Sequence, residues 1–180
     1  EYLSKGTGGV LFLAPTRVLV NQHYEFLKNN LTLDDISLIT GEDTIQKRTK
    51  LWNNSVICAT PEIARNDLDR GIVTPEQFTL VIFDEVHRTV GDYAYSGIAQ
   101  RFEDSSARIL GMTATLPSEK EKATEILTRL KIASVAERTE DSLDVKPYTQ
   151  ETNTEWINVE LPDELKAIQT LLKLSLDQRY

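Results

Sequence analysis

Short apolar runs alternate with amphipathic stretches along most of the chain. Five runs read as strands: 10–14 (VLFLA), 36–40 (ISLIT), 55–60 (SVICAT), 79–84 (TLVIFD) and 108–112 (RILGM). Several are nearly continuous in Val, Ile, Leu and Phe, as expected for strands covered on both faces of a parallel sheet. The intervening segments read as helices. In 17–29, Leu19, Val20, His23, Phe26 and Leu27 recur at helical spacing and form one face. Ile45, Leu51 and Trp52 give a weaker pattern in 41–53. Thr60-Pro61 is a helix start and Gly71 a stop. A further helix is expected over 91–102, and Ser118 with Glu121 makes a capping box ahead of Ala123, Ile126, Leu127 and Leu130. The alternation predicts an α/β fold with a right-handed, doubly wound sheet.

The pattern changes after about residue 139. The stretch 140–161 is polar and reads as a connector or arm, although EWINVEL within it has the look of a strand. From 162 to 180 a last helix aligns Leu165, Ile168, Leu172 and Leu176 in one stripe, expected to pack on the body or lead into another domain. A length of 180 residues, 40% hydrophobic, fits one globular domain, 1–139, with this appendage. The net charge of −8 argues against a general nucleic-acid binder but leaves room for local phosphate contacts. A single cysteine, Cys58, rules out an intramolecular disulfide and suits a reducing compartment. No apolar run approaches the length of a membrane span, and the first residues lack the apolar core of a signal peptide. The expected location is therefore cytoplasmic, or nuclear in a eukaryote. Without an initiator methionine, the chain reads as a piece of something longer.

Candidate chemistry gathers at strand ends, where open α/β sheets bind ligands. LVIFDEVHRT delivers Asp84 and Glu85 at the end of a buried strand, with His87 two residues on. A carboxylate there suits a magnesium ion bridging nucleotide phosphates, and Glu85 is placed to orient or deprotonate a water. Thr113 and Thr115, in GMTATLP, offer hydroxyls at the next strand end, within reach of His87. In APTRVLV, Thr16 caps a helix whose free N–H groups suit an anion, and Arg17 adds a charge. ATPEI repeats the arrangement with Thr60 and Pro61. Cys58, His23, Trp52 and Trp156 read as packing residues. The tyrosines after Gly91 either pack or face a neighbouring domain.

In this order, APTRVLV, TGE (40–42), TPE (60–62), DEVH and TAT resemble motifs Ia to III of the first RecA-like domain of a superfamily 2 DEAH/DExH-box helicase. FDEVHRTVGDYAY, DVKPY and EWINVELP are similar to the Hef, Fanconi anaemia group M and Mph1-like family. The resemblance implies ATP and Mg2+ as cofactors and forked or branched DNA as partner, in repair and replication restart. It assigns Asp84 and Glu85 to the metal, Glu85 to water activation, and His87, Thr113 and Thr115 to coupling. Thr16, Arg17, Gly41, Thr60 and Pro61 would follow the DNA backbone. It also implies an N-terminally truncated RecA-like sheet. No G-x-x-x-x-G-K-[ST] loop occurs in the 180 residues, and SKGTGG (4–9) reads as a turn. The loop, a second RecA-like domain and a nuclease would lie elsewhere in the parent, and this chain alone would not hydrolyse ATP. The sheet edge left by the absent loop strand would be covered by the C-terminal arm or by a second copy. Two other readings stand beside it: a Dicer-type motor on double-stranded RNA, and a non-catalytic interaction module.

Overall fold

The computed structural model describes residues 8–89, 93–115, 117, 119–139, 142–148, 155–157, 159–160 and 162–177. The chain divides into two compact units, Glu1–Val135 and Ala136–Tyr180.

The first unit is a five-stranded sheet, parallel throughout. Its strands are β1 (Gly9–Leu13), β2 (Ile36–Ile39), β3 (Val56–Ala59), β4 (Phe78–Phe83) and β5 (Arg108–Gly111), in the spatial order β2-β3-β1-β4-β5. Five helices connect or follow them: α1 (Arg17–Asn30), α2 (Ile45–Leu51), α3 (Pro61–Asp69), α4 (Tyr93–Arg101) and α5 (Lys120–Arg129). The apolar strands are central because every residue of β3 is buried, as are the last four of β1. Alternate residues face opposite layers. Leu11, Leu13, Ile57, Ala59, Val81 and Phe83 pack with Ile98 of α4, Phe102 just beyond its end and Ile126 of α5. Phe12, Ala14 and Cys58 pack with Val20 of α1 on the other face. Burying each large apolar side chain stabilises the fold by about 1.5–3 kcal/mol, so these two layers dominate its energetics. Desolvation raises the Cys58 thiol to about 12, which keeps it neutral and inert in the core.

Several local expectations need correction. Phe26 is 63% exposed, so the buried face of α1 is narrower than its apolar spacing suggests. Glu119, not Ser118, holds the N-cap position of α5, and Ser118 itself lies outside the described residues, as does much of the turn at 4–9. Trp52 is buried, but Trp156 is 88% exposed and so is no packing residue. Around it, 155–157 and 159–160 form no strand. The second unit contains a 3₁₀ turn (Lys146–Tyr148) and α6 (Asp163–Asp177), on which Leu165, Ile168 and Leu172 remain half exposed.

Candidate nucleotide and nucleic-acid site

All five strands run in one direction, so the segments that follow them emerge along one edge of the sheet. At this edge the chain places Thr16 after β1, Gly41 after β2, Thr60 after β3, Asp84 after β4 and Thr113 after β5. Sequence-distant residues become neighbours because β1 lies between β3 and β4.

The acidic turn is fixed through its backbone. Asp84 N–H donates to the Leu13 carbonyl at 2.8 Å, and Val86 N–H donates to the Met112 carbonyl at 3.0 Å. These bonds tie the turn to the ends of both neighbouring strands. Glu85 sits in the left-handed region at φ 53°, where a side chain is disfavoured. That conformation swings the chain from β4 into a 3₁₀ turn, Val86–Thr89. Val86 then lies against Gly111, where an added Cβ would meet Val86 Cγ1 at 3.0 Å and Ile132 Cδ1 at 2.8 Å. A side chain there would have to displace Ile132 and crowd Val86. Strain of this kind persists only where the surroundings enforce it, and it concentrates at functional sites.

The side chains form two linked groups. His87 Nδ1 lies 2.9 Å from Thr113 Oγ1 and 3.2 Å from Glu85 Oε2. Thr113 Oγ1 donates to the Thr115 carbonyl at 2.9 Å and accepts from Thr115 N–H at 3.2 Å. With that hydroxyl proton committed, His87 Nδ1 acts as the donor toward Thr113. Asp84, Glu85, His87, Thr113 and Thr115 are thus assembled at the ends of β4 and β5. Asp84 Oδ1 accepts from Glu85 N–H at 2.9 Å, and Oδ2 lies 2.7 Å from His23 Nε2 on α1. The Tyr95 hydroxyl donates to the Asp84 carbonyl at 2.7 Å from α4, and its ring packs edge-on against Phe83 at 5.0 Å. Neither His23 nor Tyr95 was legible as a site residue. His23 is 61 positions from Asp84 and meets it only through the sheet order, whereas Tyr95, 11 residues on, folds back from α4.

Among the described residues no cluster of three or more His, Cys, Asp or Glu side chains could cage a metal. Two carboxylates at a strand end instead fit a magnesium ion that takes most of its ligands from water and phosphate. Asp84 is mostly buried, whereas Glu85 and His87 are each 31% exposed at the side chain.

The other half of the edge is also built by local bonds. Thr16 Oγ1 accepts from Leu19 N–H at 3.3 Å and caps α1. Arg17 Nη2 donates to Glu42 Oε1 at 2.8 Å, linking the start of α1 to the loop after β2. Both side chains are well exposed, at 66% and 76%. Gly41 lies in a loop locked by Asp43, whose Oδ2 accepts from the Thr40 N–H at 2.7 Å and hydroxyl at 2.9 Å. Burial works against the Asp43 charge, but Lys47 and these Thr40 bonds outweigh it and hold the carboxyl below its ordinary value. Thr60 makes no side-chain cap bond, and both Thr60 and Pro61 are buried. Neither presents a side chain outward, in contrast to the exposed side chains of Thr16 and Arg17. Beneath the loop, Asp67 is fully buried and accepts from Arg48 Nε at 2.8 Å, Arg48 Nη2 at 3.0 Å and Trp52 Nε1 at 2.8 Å. Its hydrogen bonds raise the Arg48 guanidinium above an already high value.

The chain is similar to several known proteins. A family model described as DEAD/DEAH box helicase matches residues 2–123. The chain is 41% identical over 180 residues to a Methanocaldococcus jannaschii protein provisionally named an ATP-dependent RNA helicase, covering 98% of this chain and 23% of that protein. It is 34% identical to the ATP-dependent DNA helicase mph1 of Sclerotinia sclerotiorum, over 94% of this chain and 15% of that protein. It is 33% identical to the Fanconi anemia group M protein homolog of Mus musculus, over 91% and 8% of the respective lengths. The crystal structure of the Pyrococcus furiosus Hef helicase domain matches with a TM-score of 0.80 at 39% identity, over 95% of this chain and 38% of that one. The chain therefore spans less than a quarter of these curated relatives.

Proposed function

Because the chain belongs to the DEAD/DEAH box helicases, in the superfamily 2 branch of Hef, Mph1 and Fanconi anemia group M proteins, we propose that it forms most of the first motor domain of an ATP-dependent DNA helicase or translocase acting on branched DNA. The observation that carries this reading is the 2.9 Å contact between His87 Nδ1 and Thr113 Oγ1, which links the acidic turn after β4 to the end of β5. Each half alone is a common strand ending. Joined, they connect two groups that a nucleotide-driven motor needs to coordinate.

Asp84, with Glu85 beside it, would hold the magnesium ion. Magnesium, when bound, neutralises charge on the phosphate oxygens. Glu85 would accept the proton of the attacking water, with His87 Nδ1 3.2 Å from its carboxylate. His87, Thr113 and Thr115 form the connection through which a change at the nucleotide reaches the β5 end. Thr16, Arg17 and Gly41 present backbone amides and one guanidinium to phosphates, with Thr60 and Pro61 shaping the neighbouring helix start. Contacts to phosphate and sugar carry no sequence preference, which suits movement along DNA. These residues supply the metal-facing half of a nucleotide site. The phosphate-gripping loop has no counterpart in the 180 residues, so the isolated chain is expected to hydrolyse no ATP.

The test compares the 180-residue chain with the complete natural polypeptide. DNA-stimulated ATP hydrolysis should appear only in the latter, and Glu85→Gln should reduce it by about 100-fold or more. Hydrolysis by the short chain that disappears in Glu85→Gln, or full activity of Glu85→Gln in the complete protein, overturns the proposal. The Methanocaldococcus jannaschii relative provisionally named an RNA helicase makes the sugar a necessary second arm. Competition between forked DNA and duplex RNA should favour the DNA, and preference for the RNA would replace the substrate while leaving the motor intact.

A further inference from the structure

His23 stands outside the motifs and is bonded to the acid at their centre. It lies on α1, 61 positions from Asp84, with Nε2 2.7 Å from Asp84 Oδ2. A carboxylate only accepts hydrogen bonds, so Nε2 carries the proton and donates. The imidazole is oriented by packing on Phe12, with ring centroids 4.4 Å apart and planes tilted by 37°. Phe12 belongs to β1, the strand beside β4, so the support comes from a rigid element of the sheet.

The Asp84 carboxylate is thereby held at both oxygens. Oδ1 accepts from Glu85 N–H at 2.9 Å and Oδ2 from His23. Each oxygen keeps a lone pair for a further partner. Rotation about the Cβ–Cγ bond would break both contacts, so the group is presented in one orientation before any ligand arrives. A residue needed only for packing has no use for a polar contact with an acid at a strand tip. We propose that His23 is a positioning residue that fixes the Asp84 carboxylate for a hydrated magnesium–nucleotide. The inference rests on the motor reading above and adds to it a residue on α1, the same helix whose start carries Thr16 and Arg17. One helix thus carries both the start proposed to meet phosphates and a direct hold on Asp84.

Two variants separate donation from packing. His23→Phe keeps an aromatic ring on Phe12 but cannot donate, whereas His23→Gln can donate but has no ring. In the complete natural polypeptide, half-saturating Mg2+ for ATP hydrolysis should rise about tenfold or more in His23→Phe, within the range for lost outer-shell partners of metal sites. The rate at saturating Mg2+ should fall by a smaller factor, and His23→Gln should recover most of the metal affinity. Mn2+ binding with a non-hydrolysable ATP analogue, read by electron paramagnetic resonance, should give the same order without any turnover. A His23→Phe variant that titrates like the wild type, or a His23→Gln variant as impaired as His23→Phe, overturns the assignment. Glu85→Gln serves as the separate control. If it abolishes hydrolysis while the His23 variants bind metal normally, only the His23 inference fails. If it leaves hydrolysis intact, the motor reading fails first.

Discussion

Replacing Asp67 by alanine provides the sharpest test of how the loop after β2 is held. Asp67 is fully buried and Arg48 is 12% exposed at the side chain. The substitution removes the acceptor of three bonds and leaves a guanidinium and the Trp52 N–H buried without it. Breaking a buried ion pair from one side costs about 3–5 kcal/mol. Total stabilities are about 5–15 kcal/mol, so a large share would be lost. In a chain of this size the melting temperature should fall by about 6–20 °C. Arg48 also donates from Nη1 to the Asp43 carbonyl at 2.7 Å, so its release loosens the loop that presents Gly41. Calorimetry or urea unfolding of Asp67→Ala, Arg48→Met and the Asp67→Leu/Arg48→Met double variant gives the coupling. The double variant should be more stable than Asp67→Ala, because no charge is left buried without its partner. A loss below about 1 kcal/mol in Asp67→Ala, or strictly additive losses in the double variant, would refute the reasoning.

Three further outcomes follow from the site. Glu85→Gly should be more stable than Glu85→Ala by about 1 kcal/mol in denaturant unfolding, since only glycine accepts φ 53° without penalty, and equal stability would contradict the left-handed turn. Tyr95→Phe should lose about 1–3 kcal/mol, because the buried Asp84 carbonyl loses its 2.7 Å donor, and an unchanged unfolding midpoint would show that bond to be unimportant. Asp43 is held below its ordinary value, so its stabilising contribution is complete above about pH 3.9 and fades as pH falls through the folded value. The advantage of the wild type over Asp43→Asn should therefore vanish in acid, and a constant difference across that range would argue against the Thr40 and Lys47 contacts.

The strands were legible because burial on both faces writes itself as unbroken apolar runs, and β3 shows this most plainly with VICA. The acids were legible because strand ends are where such sheets open to ligands. His23 packs on Phe12 as its spacing suggests, and its contact with Asp84 escaped the sequence for a reason of scale. Its apolar neighbours on α1 are local, whereas Asp84 reaches it only through the order in which the strands assemble. The left-handed Glu85 left no trace in the residue type, since its conformation is imposed by bonds to Leu13 and Met112 on either side. The described residues of EWINVEL, 155–157 and 159–160, illustrate the opposite failure. The alternation of apolar and polar residues imitates a strand, but alternation alone supplies no neighbour to share hydrogen bonds with. Thr60 and Pro61 have the composition of an exposed helix start and are nonetheless buried, because residue type does not reveal how deeply a helix end is sunk.

The central place of β1 also has a kinetic side. Leu13 is paired with Ala59 on one flank and Phe83 on the other. During synthesis, VLFLA must wait for both partners before either of its edges is closed. Long separations of this kind slow the search for the native arrangement. They also leave a sticky apolar segment in the open while the ribosome works. Newly made protein should therefore depend on chaperones until β4 has emerged, and refolding yield in vitro should fall steeply with concentration.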